Sequence, residues 1–175
     1  MISFLGSPDQ MLETVLNEMA RLGLPTDFVC DHICYRVETH ARYEEIKTQL
    51  EGIAEKISEV PIAGRPISIF KLKMPYTCMG REIACIELPA PKESSPYPEG
   101  WEHAEFVTGV SIPGDTIASL DNFISRYPSV VFKQPKTQRA VNPEASVRIN
   151  ALYNVKFHPQ DIQTVVELEH QEMGL

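Results

Sequence analysis

Residues 7–25, SPDQMLETVLNEMARLGLP, set Met11, Leu12, Val15, Leu16, Met19, Ala20 and Leu22 at helical spacing. Ser7 suits the N-cap, Pro8 the first helical position, and Gly23 and Pro25 end the run. The pattern predicts an amphipathic helix over about residues 8–22. The period then changes from 3.6 to two. In DHICYRVE, residues 31–38, one side carries Ile33, Tyr35 and Val37 and the other His32, Cys34 and Arg36, as along a strand. THARYEEIKTQLEG returns to helical spacing, with Thr39 as cap, a stripe of Tyr43, Ile46 and Leu50, and Gly52 as stop. IAEKISEVPI, ISIFKLKM and REIACIELPAP read as three strands separated by the turn stretches AGRP and PYTCMG.

APKESSPYPEG, rich in Pro, Ser and charge, reads as a linker, and after it the order of elements recurs. WEHAEFVTGVSI predicts a strand. DTIASLDNFISRYP predicts a helix with apolar Ile117, Leu120, Phe123 and Ile124. SVVFKQPK, SVRINALYNVKFH and IQTVVELEH predict three more strands. Each half opens on an acid followed by a histidine, His32 or His103, and closes on an apolar pair followed by Glu-Leu, at Glu87 or Glu167. The expected fold class is α+β: two tandem βαβββ modules form an open, cup-shaped mixed β-barrel, with an extra N-terminal helix. The expected division is 1–29 for that helix, 30–90 for the first module, 91–100 for the linker and 101–175 for the second module, all in one compact domain.

A net charge of −8 and the absence of a basic patch argue against nucleic acid and anionic membrane as partners. No run reaches the roughly 18 apolar residues of a membrane span, and MISFLGSPDQ lacks the basic and apolar regions of a signal peptide. Cys30, Cys34, Cys78 and Cys85 show no short-loop pairing, so reduced thiols in a cytoplasmic protein are expected. The chain is expected to act as a monomer or homodimer.

The chemistry lies in four polar side chains set in apolar strands. Strand alternation isolates Glu87 between Ile86 and Leu88, and Glu167 between Val166 and Leu168, while His32 and His103 sit on the opening strands. Buried charge is costly without a partner, and a divalent cation satisfies two imidazoles and two carboxylates together. That donor set suits zinc, nickel, iron(II), manganese or cobalt and leaves positions open for water or substrate. Glu169 shares a face with Glu167 and is an alternative ligand. A thiolate site of Cys30, His32 and Cys34 is the rival, but alternate strand residues stand nearly 7 Å apart and close a tetrahedron poorly. His158, before Pro159, and His40, at a helix start, read as surface residues or caps.

HICYRV at residues 32–37, IEL at 86–88 and VEL at 166–168 resemble the ligand strands of the vicinal oxygen chelate superfamily, which includes glyoxalase I, extradiol dioxygenases, methylmalonyl-CoA epimerase and the bleomycin and fosfomycin resistance proteins. The resemblance implies His32, Glu87, His103 and Glu167 as ligands of a divalent metal. It also implies Arg36 as the residue that positions an anionic substrate; pairing of Arg36 with Glu105 or Glu169 is the alternative. The implied activity is a metal-dependent isomerase, lyase or hydrolase acting on a small molecule chelated through two vicinal oxygens. Glu87 or Glu167 would leave the metal and serve as general base. A fourth protein ligand argues against extradiol dioxygenase chemistry, which uses two His and one Glu. The alternative function is non-catalytic sequestration of a small molecule.

Overall fold

The computed structural model describes residues 2–62, 64–92, 96–134 and 141–173. Residues 93–95 of the expected linker and 135–136 of the expected strand SVVFKQPK lie outside them. The first helix, α1 (Asp9–Arg21), forms where its apolar spacing placed it. Met11, Leu12, Val15, Leu16 and Met19 are buried, and the Ser7 hydroxyl accepts from the Asp9 amide. The chain divides into two compact units, Met1–Met11 with His32–His103, and Leu12–Asp31 with Ala104–Leu175.

The first unit realises the expected βαβββ order. It contains β1 (Val29–Arg36, from His32 onward), α2 (His40–Ile53), β2 (Ala54–Ile62), β3 (Arg65–Cys78) and β4 (Arg81–Pro89). The strands lie in the order β2-β3-β4-β1. β1 runs parallel to β4, and the other two pairs are antiparallel. Thr39 caps α2 by accepting from the Arg42 amide, and Tyr43, Ile46 and Leu50 form the buried stripe. β3 runs through Pro75–Cys78, longer than its apolar pattern predicts. The reversal into β4 needs only two residues, Met79 and Gly80, between paired Cys78 and Arg81. Both have positive φ, +50° and +76°, the signature of a type I′ hairpin turn whose twist matches that of its strands.

At the end of this unit a second device ties its last segment to α2. Glu99 accepts from Arg42 Nε (3.0 Å) and Nη2 (2.6 Å) and from the Tyr35 hydroxyl (3.1 Å). The paired Arg42 guanidinium, then the tyrosine, hold its carboxyl below the usual range against the opposing effect of burial. A depressed carboxylate stabilises the fold above its unfolded value, about 4.3, and that contribution is lost as pH falls through the folded value. Glu99→Gln is therefore expected to lower Tm by a few degrees at pH 7, since partly exposed pairs contribute up to about 1 kcal/mol. The gap to the wild type narrows below about pH 4. Thermal melts of both proteins across that range are the check; a gap that persists unchanged in acid would contradict the assignment.

The second unit contains β5 (Gly100–Val107, from Ala104 onward), α3 (Thr116–Ser125), β6 (Ala145–Arg148), β7 (Asn154–His158) and α4 (Ile162–Met173). Its strands lie in the order β5-β7-β6. Asp115 caps α3 by accepting from the Ala118 amide, and Leu120 and Phe123 are buried. Here the expected module is corrected in three places. SVVFKQPK contributes a single bridge, Lys133 to Ser146, among the described residues. SVRINALYNVKFH is two strands, because Asn150 Oδ1 accepts from the Leu152 and Tyr153 amides and folds the middle into a turn. IQTVVELEH is helix α4, and no strand. Asp161 accepts from the Thr164 amide (3.0 Å) and hydroxyl (2.7 Å), an N-terminal cap that β-branched Ile162, Thr164, Val165 and Val166 conceal in the sequence. The α+β class holds, and the second half is βαββα.

Candidate metal centre

β1 and β4 place the first two donors. Their parallel register aligns His32 with Cys85 and Cys34 with Glu87. Residues 32, 34, 85 and 87 therefore project to one face, with Glu87 on the diagonal from His32. β1 is buried on both sides over Cys30–Tyr35, as strands in parallel pairing commonly are. His32 retains 1% of its surface and His103 2%, and the Glu87 side chain 15%. The ligand atoms of His32, Glu87 and His103 all lie within 4.8 Å of one another.

His103 Nε2 stands 3.8 Å from Glu87 Oε1. This is too long for a hydrogen bond and within the span of two donors each about 2.0–2.2 Å from a shared ion. The donors, two imidazoles and a carboxylate, match the borderline cations expected from the sequence. The opposite edge of the His103 ring is held by a carboxylate: Nδ1 meets Glu102 Oε2. Glu102 Oε1 pairs with Arg36 Nη2 at 3.0 Å, and the Arg36 guanidinium lies over the Tyr97 ring, 4.3 Å from its centroid. Arg36 thus pairs with Glu102, a partner the sequence did not single out. Cys34 is close enough to Glu102 and His103 to share an ion with them. Burial pushes its thiol up to about 12.

The sequence profile of the YecM protein family matches residues 5–169. The chain belongs to the YecM family. Protein YecM of Escherichia coli (strain K12) is 35% identical over 167 residues, covering 88% of this chain and 86% of that protein. Among solved structures, the structural-genomics protein EC4020 superposes with a TM-score of 0.72 at 32% identity, over 91% of this chain and 87% of its own. A far weaker likeness, TM-score 0.49 at 13% identity over 75% of this chain and 97% of the other, is to Streptomyces coelicolor methylmalonyl-CoA epimerase in complex with 2-nitronate-propionyl-CoA.

In this YecM-family chain three of the expected ligands, His32, Glu87 and His103, come together. Glu167 belongs to no such group among the described residues. It lies on the exposed side of α4, because the segment expected to be a strand is helical, and Val165 and Val166 turn inward instead. Glu169 lies on the same helix.

The second unit holds polar residues that sequence reasoning missed. His158, expected at the surface, is wholly buried. Its Nε2 is 3.2 Å from Asp31 Oδ1 and 3.6 Å from Glu105 Oε2, and its Nδ1 donates to the Gln160 carbonyl. Lys156 Nζ lies 2.8 Å from Glu105 Oε1. Asp31 Oδ2 accepts from the Ile162 amide at 2.7 Å, which fixes the start of α4. Two buried carboxylates face an imidazole and an ammonium, as buried charge requires. The signal for Asp31 and Glu105 was present: both stand inside apolar strands. Nothing in HPQD marks His158 as internal.

Proposed function

We propose that this protein is a metal-dependent enzyme acting on a small molecule that chelates the cation through two vicinal oxygens. The observation that supports this reading is the convergence of His32, Glu87 and His103, three donors from β1, β4 and β5, within 4.8 Å of one another in an apolar sheet. A divalent cation held there supplies Lewis acidity toward a carbonyl or lowers the pKa of a water. The protein's own residues bind the cation and exclude bulk water. Glu87, the most exposed of the three donors, is the residue suited to exchange a proton with substrate as general base. Glu105, two residues after His103 on β5, is another carboxylate nearby in sequence. Its oxygens already face Lys156 and His158, so three protein ligands are proposed. Three donors leave room for bidentate substrate in an octahedral site. They also remove the objection to oxygenase chemistry that a fourth ligand raised.

The test is a thermal-shift screen of cation-loaded and chelator-stripped protein against 2-oxo acids, diols, catechols and thioesters, followed by turnover assays with each hit. A ligand that binds the folded state raises the midpoint, by about 2.7 kcal/mol of stability at 100 times its Kd. The expected result is a hit that needs the cation and is consumed. A hit that binds equally without the cation and is not turned over would replace the enzyme reading with sequestration.

A further inference from the structure

Glu102 has no role among the proposed ligands, yet its carboxylate joins His103 to Arg36. Consecutive strand residues point to opposite faces, so Glu102 and His103 should diverge. Instead the Glu102 carboxylate turns back onto the His103 ring and meets Nδ1. A carboxylate accepts there, which favours a proton on Nδ1. In the neutral Nδ1–H ring, Nε2, on the side of Glu87 Oε1, keeps its lone pair. The carboxylate is itself fixed: Arg36 Nη2 holds its second oxygen at 3.0 Å, and Tyr97 backs the guanidinium at 4.3 Å.

We propose that Glu102 is the positioning residue of the metal centre, clamped by Arg36 and Tyr97 so that it sets the tautomer and orientation of His103 and presents Nε2 to the cation. This deepens the proposed metal-dependent reading and rests on it. Arg36 then acts through Glu102: its charge balances the carboxylate, and it does not hold a substrate anion. Carboxylate partners of metal-bound histidines typically contribute 10- to 100-fold in affinity, which sets the scale of the expected effect.

The experiment uses the full chain with cobalt(II) and zinc(II) as probes, in the wild type, Glu102→Ala, Glu102→Gln, Glu102→Asp and Arg36→Gln. Metal affinity is measured by competition with a chromophoric chelator, and the His103 ring nitrogens are followed by 15N NMR of the metal-free proteins. The wild type is expected to show the Nδ1–H tautomer. Glu102→Ala is expected to lose that single tautomer and to bind about 10- to 100-fold more weakly, with a shifted cobalt(II) visible spectrum. Glu102→Asp should recover part of the affinity, and Arg36→Gln should show a smaller loss in the same direction. Equal thermal midpoints of the metal-free proteins separate these effects from misfolding. Wild-type protein that binds the cation, with affinity and tautomer unchanged in Glu102→Ala, overturns the role of Glu102 alone. Wild-type protein that binds no cation overturns the metal reading, and this inference with it.

Discussion

His32→Ala and His103→Ala each lose stoichiometric divalent-cation binding, and Glu87→Gln weakens it to a similar degree. This is the expected result with the largest effect on function. With the three protein donors proposed above, removing one leaves two, and the loss should exceed the roughly 10- to 100-fold that outer partners of ligands typically contribute. Metal content after dialysis, with affinity by competition titration, is the measurement. Glu167→Gln is the informative companion, because the two expectations differ in what it does. A ligand on a terminal strand would be as sensitive as His32. A residue on the exposed side of α4 leaves affinity within twofold of the wild type. Full metal occupancy in both histidine variants would remove the centre altogether.

Phe157→Ala is expected to have the largest effect on stability. Phe157 is completely buried on β7. Its ring lies 5.2 Å from Phe123, 6.0 Å from Phe132, 6.3 Å from Phe106 and 6.5 Å from Phe28, centroid to centroid. Edge and tilted contacts of this kind add to the transfer term. Truncation removes one side of all four contacts and leaves a cavity that stiff neighbouring rings fill poorly. The cost is about 3–5 kcal/mol, or a fall of roughly 6–20 °C in Tm for a chain of this size. Val131→Ala, at a position 89% exposed, should stay within about 0.5 kcal/mol. Urea titration distinguishes the two; a loss below about 1 kcal/mol for Phe157→Ala would show that the cluster relaxes around the gap.

The first half of the chain was legible because its signals are local and agree with one another. Thr39 and the Tyr43, Ile46, Leu50 stripe specify α2, and the apolar runs of β2 to β4 carry the β-branched residues that strands favour. His32, Glu87 and His103 stood out as polar residues in apolar strands, and burial kept them together. The second half failed where two periods overlap. Val165 and Val166 are adjacent, which fits a strand buried on both faces as well as a helix inner stripe, and the deciding cap at Asp161 sits outside the apolar run. Misreading that element displaced Glu167 from a helix to a strand. The partners of the site were illegible for another reason. Glu102 reaches His103 against strand alternation, and Asp31 meets His158 across 127 residues of chain, so no spacing rule connects them.

All four cysteines are buried and in no disulfide, on β1, β3 and β4. A thiol reagent therefore reaches them only when those strands part. Labelling of the native protein is then a clock of opening: the rate at Cys34, Cys78 and Cys85 follows the population of molecules whose first unit has come apart, and a cation held by that unit should slow it.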